Sequence, residues 1–186
     1  MPRDDSDMKI FIPRTQQEES EVLNLLESMT KNRHNGNIQK AEQLGQKLAS
    51  IALTEKTRAE FHDPIFLSPD IYQQVGVLML FAAEGALNYY LPVQQLSTIA
   101  ISFMHKGLEE QENEFYHNVV ESSAYSFYFL SLRKGDDDAL EEIGRSFAML
   151  CHHEDDPSFI AEGKFIYNLV LAEVAKDVAA LDFQDL

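Results

Sequence analysis

An all-α fold, a helical bundle or short stack of about seven antiparallel helices, is the class this sequence predicts. Three observations support it. Apolar residues recur near a 3.6-residue period along most of the chain. Helix start and stop signals separate the periodic stretches. Prolines number only 6 and glycines 8, few enough for long helices, and no segment alternates apolar and polar residues for long enough to read as a strand.

Residues 1–14 read as a flexible N-terminal arm ending near Pro13, and residues 15–186 as a single domain. Thr15 and Glu18 form a capping-box pattern. The first helix runs from there to Lys31, with Val22, Leu25, Leu26 and Met29 on one face. Asn35-Gly36-Asn37 is a turn, and the second helix follows over 38–54 with Ala41, Leu44, Leu48 and Ile51 at helical spacing. Residues 56–68 read as a loop. Ser68 suits an N-cap and Pro69 the first helical position of a third helix over 69–90. Leu91-Pro92 leads to a fourth helix, 92–106, stopped by Gly107. A fifth helix, 108–133, carries aromatics on most sides and reads as central. Asp136 opens a sixth helix, 137–152, and Asp156-Pro157 opens a seventh, 157–181. Short connections make sequential helices antiparallel neighbours.

Composition narrows the function classes. The chain has 31 acids against 15 bases, a formal charge of −16, which disfavours nucleic acids and anionic membranes because both demand cationic neutralisation. Cys151 is the only cysteine, so neither an intrachain disulfide nor a thiolate zinc cluster can form. The most apolar stretch, Val75 to Leu91, contains Glu84, Gly85 and Asn88; a membrane span needs about 20 mostly apolar residues, so it reads as a buried helix. No secretory-type apolar core follows the first residues, and the expected location is cytoplasmic by exclusion.

Gly36–Ala49 aligns without gaps on Gly135–Ala148. Both segments begin with a turn glycine and an Asn or Asp cap. Both place a second glycine, Gly45 or Gly144, in mid-helix, where glycine costs about 1 kcal/mol relative to alanine. Close approach of another helix would justify such a residue twice. Gly36-Asn37-Ile38-Gln39-Lys40-Ala41 resembles the turn of the tetratricopeptide-repeat family, and Tyr125 through Asp136 looks like a first helix running into the same turn. The resemblance covers about a quarter of the chain and implies antiparallel helix hairpins. Gly135 to Ala139 is one residue shorter than the family spacing, and Gly45 and Ile143 stand where the family has an aromatic.

Candidate sites fall on two predicted helices. On the fifth, Glu110, Glu114, His117 and Glu121 share one stripe that Tyr125 and Tyr128 continue. Glu114 and His117 have the E-x-x-H spacing of di-iron bundles, which use that motif twice; no second copy occurs here. A metal site would draw on Glu84, Glu114, His117 and Glu121, with His105 as a further donor, but a solvated acidic face accounts for the stripe, and no bound metal or cofactor is expected. On the third helix, Val77, Leu80, Phe81 and Glu84 share a face that another element or subunit should cover. Together with Tyr125 and Tyr128 they are the candidate ligand or partner face. Cys151-His152-His153-Glu154-Asp155-Asp156 is dense in potential ligands, but adjacent helical residues diverge by about 100°, and the run reads as a helix C-terminus. Ser122, Ser123 and Ser126 lack a nucleophile elbow.

No complete catalytic set emerges, so a non-catalytic protein- or peptide-interaction module is the expected function. The partner is a protein or peptide, including a second copy in a homodimer, and neither nucleic acid nor membrane. The alternative is a small-ligand or metal-binding bundle built on Glu84 and the fifth-helix stripe.

Overall fold

The computed structural model describes residues 16–51, 68–110, 123–133 and 136–184. Among these there are seven α-helices and no strand: α1 Gln16–His34, α2 Asn37–Ile51, α3 Pro69–Tyr90, α4 Gln94–Glu109, α5 Ala124–Leu132, α6 Asp136–Leu150 and α7 Pro157–Ala180. The expected all-helical class is the observed one. The N-terminal arm, Thr15, the loop after α2 and Gly135 lie outside the described residues.

Helix α3 is the centre of the fold and packs on α4, α5, α6 and α7. It is apolar on all sides, and a helix of that kind must be enclosed. Val75, Val77, Leu78, Ala82 and Leu87 are fully buried or nearly so. Ser68 in extended conformation and Pro69 in the first turn start it. Leu91 ends it, held in extended conformation before Pro92, where the proline ring disfavours the helical region. No described helix is long and apolar enough to cross a membrane.

Two glycine-mediated crossings hold the remaining helices. A Cβ added to Gly45 on α2 would overlap the carbonyl oxygen of Ala100 on α4. A Cβ on Gly144 of α6 would lie 2.5 Å from the carbonyl oxygen of Ile160 on α7. The repeated glycine therefore marks the same device twice: a backbone approach that no side chain permits. The partners differ. Helix α6 packs on its sequence neighbour α7, as expected, whereas α2 packs chiefly on α4 and only lightly on α1. Sequential helices are thus not neighbours throughout.

Gly107 corrects another expectation. It does not stop α4, which continues to Glu109. A Cβ there would lie 2.8 Å from Ala49 Cβ on α2, so this glycine serves the α2–α4 contact from within the helix. Residues 108 and 109 accordingly end α4 rather than begin a fifth helix, and the next described helix, α5, starts at Ala124. Helix α5 is not central either: Phe127, Phe129, Leu130 and Leu132 are exposed.

Helix α1 departs most from expectation. Val22, Leu25, Leu26 and Met29 do share one face, but that face is exposed, as is Leu23 at 61%. Side-chain bonds in the last turns of α1 tie it to the body. Ser28 Oγ lies 3.4 Å from Gln95 Oε1, and the buried Asn37 donates to Asn32 Oδ1 at 3.0 Å. Asn37 also pairs with the chain end, donating to Gln184 O at 2.9 Å and accepting from Gln184 N at 3.0 Å. Its side-chain amide thus imitates a backbone partner. Lys47 on α2 reaches the buried Asp177 carboxylate on α7 at 2.5 Å, a second tie between the two ends of the chain.

Candidate functional site

Three helices converge on Glu84. Its Oε1 accepts from His105 Nε2 on α4 at 2.5 Å and from the Tyr125 hydroxyl on α5 at 3.2 Å. The carboxylate and the imidazole are both mostly covered, at 21% and 27% exposure. The helical register explains the meeting: Glu84 lies one turn beyond Phe81, and Phe81 anchors the aromatic layer beneath. Its ring meets Tyr125 edge-on at 5.8 Å, Phe129 edge-on at 5.3 Å and Tyr128 at 5.3 Å. A carboxylate between an imidazole N–H and a phenol O–H is a charge-assisted latch between helices.

The sequence-derived partner face divides in two. Val77, Leu80, Phe81 and Tyr128 are buried, Val77 and Tyr128 at 0% exposure, so α3 is covered by this chain's own helices and these four side chains have no surface to offer a partner. Glu84 and Tyr125 remain half-buried at the edge. Burial raises the Tyr128 hydroxyl well above the usual phenol range, with the Cys151 thiol adding to the effect. That hydroxyl has no hydrogen-bond partner among the described residues.

Glu114, His117 and Glu121 lie outside the described residues. Among the described residues, no group of three or more His, Cys, Asp or Glu side chains is placed to hold a metal ion. The ligand-rich run after α6 forms a helix terminus. His152 takes φ 60°, while His152 N bonds Met149 O at 3.0 Å and His153 N bonds Ala148 O at 2.9 Å, the pair of bonds that closes a Schellman turn. The His153 ring stacks on Phe159 with centroids 3.8 Å apart. Burial pushes the Cys151 thiol up to about 12, leaving it protonated and unreactive in the folded state.

A groove of about 570 Å³ lies between α5 and α6 and was not foreseen in the sequence. Phe127, Leu130 and Met149 supply its apolar lining. Glu142, Glu154 and Asp155 put carboxylates along it, and among the described residues Arg145 is the one base lining it. Arg145 is engaged with Glu141 at 3.4 Å and Asp155 at 3.8 Å. Ser131 Oγ, 2.9 Å from Ser146 Oγ, ties the two helices beneath the groove. The available signal was the spacing of Phe127 and Leu130, one turn apart on a helix of nine residues. Aromatics around most of the expected fifth helix, 108–133, instead suggested burial on several sides.

No protein-family model, curated protein or solved structure gives a significant match to this chain.

Proposed function

We propose that this chain is a non-catalytic interaction module of helix hairpins whose α5–α6 groove receives a basic, amphipathic segment of a protein partner. The observation that carries the reading is the groove itself. Phe127 and Leu130 stand exposed on one side, Leu130 at 57%, and among the described residues three carboxylates face one already engaged arginine. Apolar side chains in a concave surface supply affinity, and an acidic rim selects basic partners. The formal charge of −16 adds long-range attraction for such a segment. The glycine-led turn at Gly36, with φ +81°, and the packing of α6 on its sequence neighbour α7 support a likeness to tetratricopeptide-type hairpins, a fold suited to presenting peptide grooves, whereas α2 departs from it by packing on α4. The reading places the module in the cytoplasm, where a single reduced thiol is ordinary.

Fluorescence anisotropy with a labelled amphipathic peptide of alternating leucine and lysine blocks tests it. Micromolar binding is expected, weakened about tenfold or more by Phe127→Ala/Leu130→Ala and by Glu154→Lys/Asp155→Lys. Binding that neither pair alters would refute the groove as the docking site.

The alternative of a small-ligand or metal-binding bundle retains one supporting observation, the meeting of Glu84 with His105 at 2.5 Å. Thermal unfolding with added zinc, iron or manganese tests that alternative. A rise in melting temperature that is lost in His105→Ala would favour it.

A further inference from the structure

We infer that α1 is a self-association helix that pairs antiparallel with α1 of a second copy of this chain. This inference rests on a different surface from the α5–α6 groove and does not depend on it. Val22, Leu25, Leu26 and Met29 form an i, i+3, i+4, i+7 stripe, the seam spacing of paired helices. In this structure the stripe faces solvent along most of its length. A contiguous apolar row of that kind on an acidic protein marks an interaction surface.

The pattern itself identifies the occupant. The stripe is symmetric about the Leu25–Leu26 bond: reversing the helix places Val22 opposite Met29 and Leu25 opposite Leu26. A two-fold axis through that point makes the face complementary to itself, as isologous dimers require. The charges carry the same symmetry. In the sequence Glu18, Glu19 and Glu21 fall in the first half of α1, and Lys31, Arg33 and His34 lie in its last turn. An antiparallel pair sets the acidic half of each helix beside the basic turn of the other. It also opposes the helix dipoles. A parallel pair would set like charges together at both ends. A separate acidic partner would match only one end of α1, and a basic partner only the other. A second copy matches both.

The contact is small, so micromolar affinity is expected. Sedimentation velocity on the full chain from about 5 to about 500 μM, the range of weak interfaces, should show a monomer–dimer equilibrium. Leu25→Glu/Leu26→Glu should weaken it about 100-fold or more, with an unchanged circular dichroism spectrum because both residues are exposed. Orientation is read independently by disulfide trapping. Chains carrying Val22→Cys, mixed with size-tagged chains carrying Met29→Cys, should form mixed disulfides in preference to either homodimer. A chain that stays monomeric throughout, a dimer that survives Leu25→Glu/Leu26→Glu, or trapping dominated by Val22→Cys homodimers would each overturn the proposal. A monomer that still binds the leucine–lysine peptide would remove self-association and leave the groove reading intact.

Discussion

The α2–α4 and α6–α7 crossings start from nearly the same sequence frame and end in different arrangements. At the first, Gly45 meets Ala100 and Ala49 meets Gly107, so α2 packs on a helix that is not its neighbour in sequence. At the second, α6 ends in a tight Schellman turn and meets its sequence neighbour α7, with Gly144 against Ile160 and Phe147 against Gly163. The glycine fixes how closely two backbones approach. It does not fix which helix approaches. A helix face without a Cβ accepts a ridge from any helix that reaches it, and the rest of the fold decides which one is present.

The largest effects should come from filling those gaps. Gly45→Ala should destabilise by about 2–3 kcal/mol and Gly144→Ala by about 1–2 kcal/mol, even after the gain in helix propensity. Gly45 should be the more costly because its new methyl would overlap a helix carbonyl and also lie 2.8 Å from Phe103 Cβ. At Gly144 part of the crowding is with Lys164 Cγ, on a side chain that can move. Urea unfolding measures both; equal or increased stability in either variant would break the equivalence of the two crossings.

A middle-sized effect separates the two units. Cys151 closes the α6 end of the second crossing, so its alkylation reports opening of that unit. Iodoacetamide at pH 8 should modify it slowly in the native protein, faster in Gly144→Ala, and with a smaller acceleration in Gly45→Ala. The same thiol predicts a pH dependence. Its folded value of about 12 lies above the ordinary 9.0, so the folded state retains a proton that the unfolded state loses. Stability should therefore fall as pH rises above about 9, and Tyr128, also raised by burial, deepens the fall above about 10. Thermal melts that stay level from pH 8 to 11 would contradict this.

The smallest expected effect is the control. Nothing lies within 4 Å of a Cβ added to Gly85 on α3. Gly85→Ala should stabilise by about 0.4–1 kcal/mol, because alanine narrows the unfolded chain without crowding the fold. A loss of stability would show that glycine position alone, and not close approach, sets the cost at Gly45 and Gly144.

Helix positions were legible because capping and periodicity are local. Pro69, Pro92 and Asp156-Pro157 mark helix ends that the fold keeps; Asp156 Oδ1 accepts from Ser158 N at 2.8 Å. Gly45 and Gly144 were legible as packing glycines because a costly residue recurred in one frame. Gly107 was misread because a glycine near a helix end has the same sequence signature whether it caps the helix or admits a neighbour. Of the candidate site, Glu84 stood out as a carboxylate on an apolar helix. Its partners His105 and Tyr125, both candidates in the sequence, lie on other helices, 21 and 41 residues away, and no local signal fixes that the three meet at one point.

By itself the sequence determined an acidic, all-helical chain, the ends of most of its helices, and an α3 that had to be buried. These follow from backbone sterics, from N–H and C=O groups that must be satisfied within a few residues, and from the burial of an all-round apolar helix. Only the tertiary structure decided that α2 would choose α4, that Asn37 would clasp Gln184, and that the apolar faces of α1 and α5 would be left in solvent. A 3.6-residue period says that a face is apolar, whether it meets this chain or another. Which of the two it meets depends on the area left after the other helices have packed, a property of the whole assembly and of no single segment.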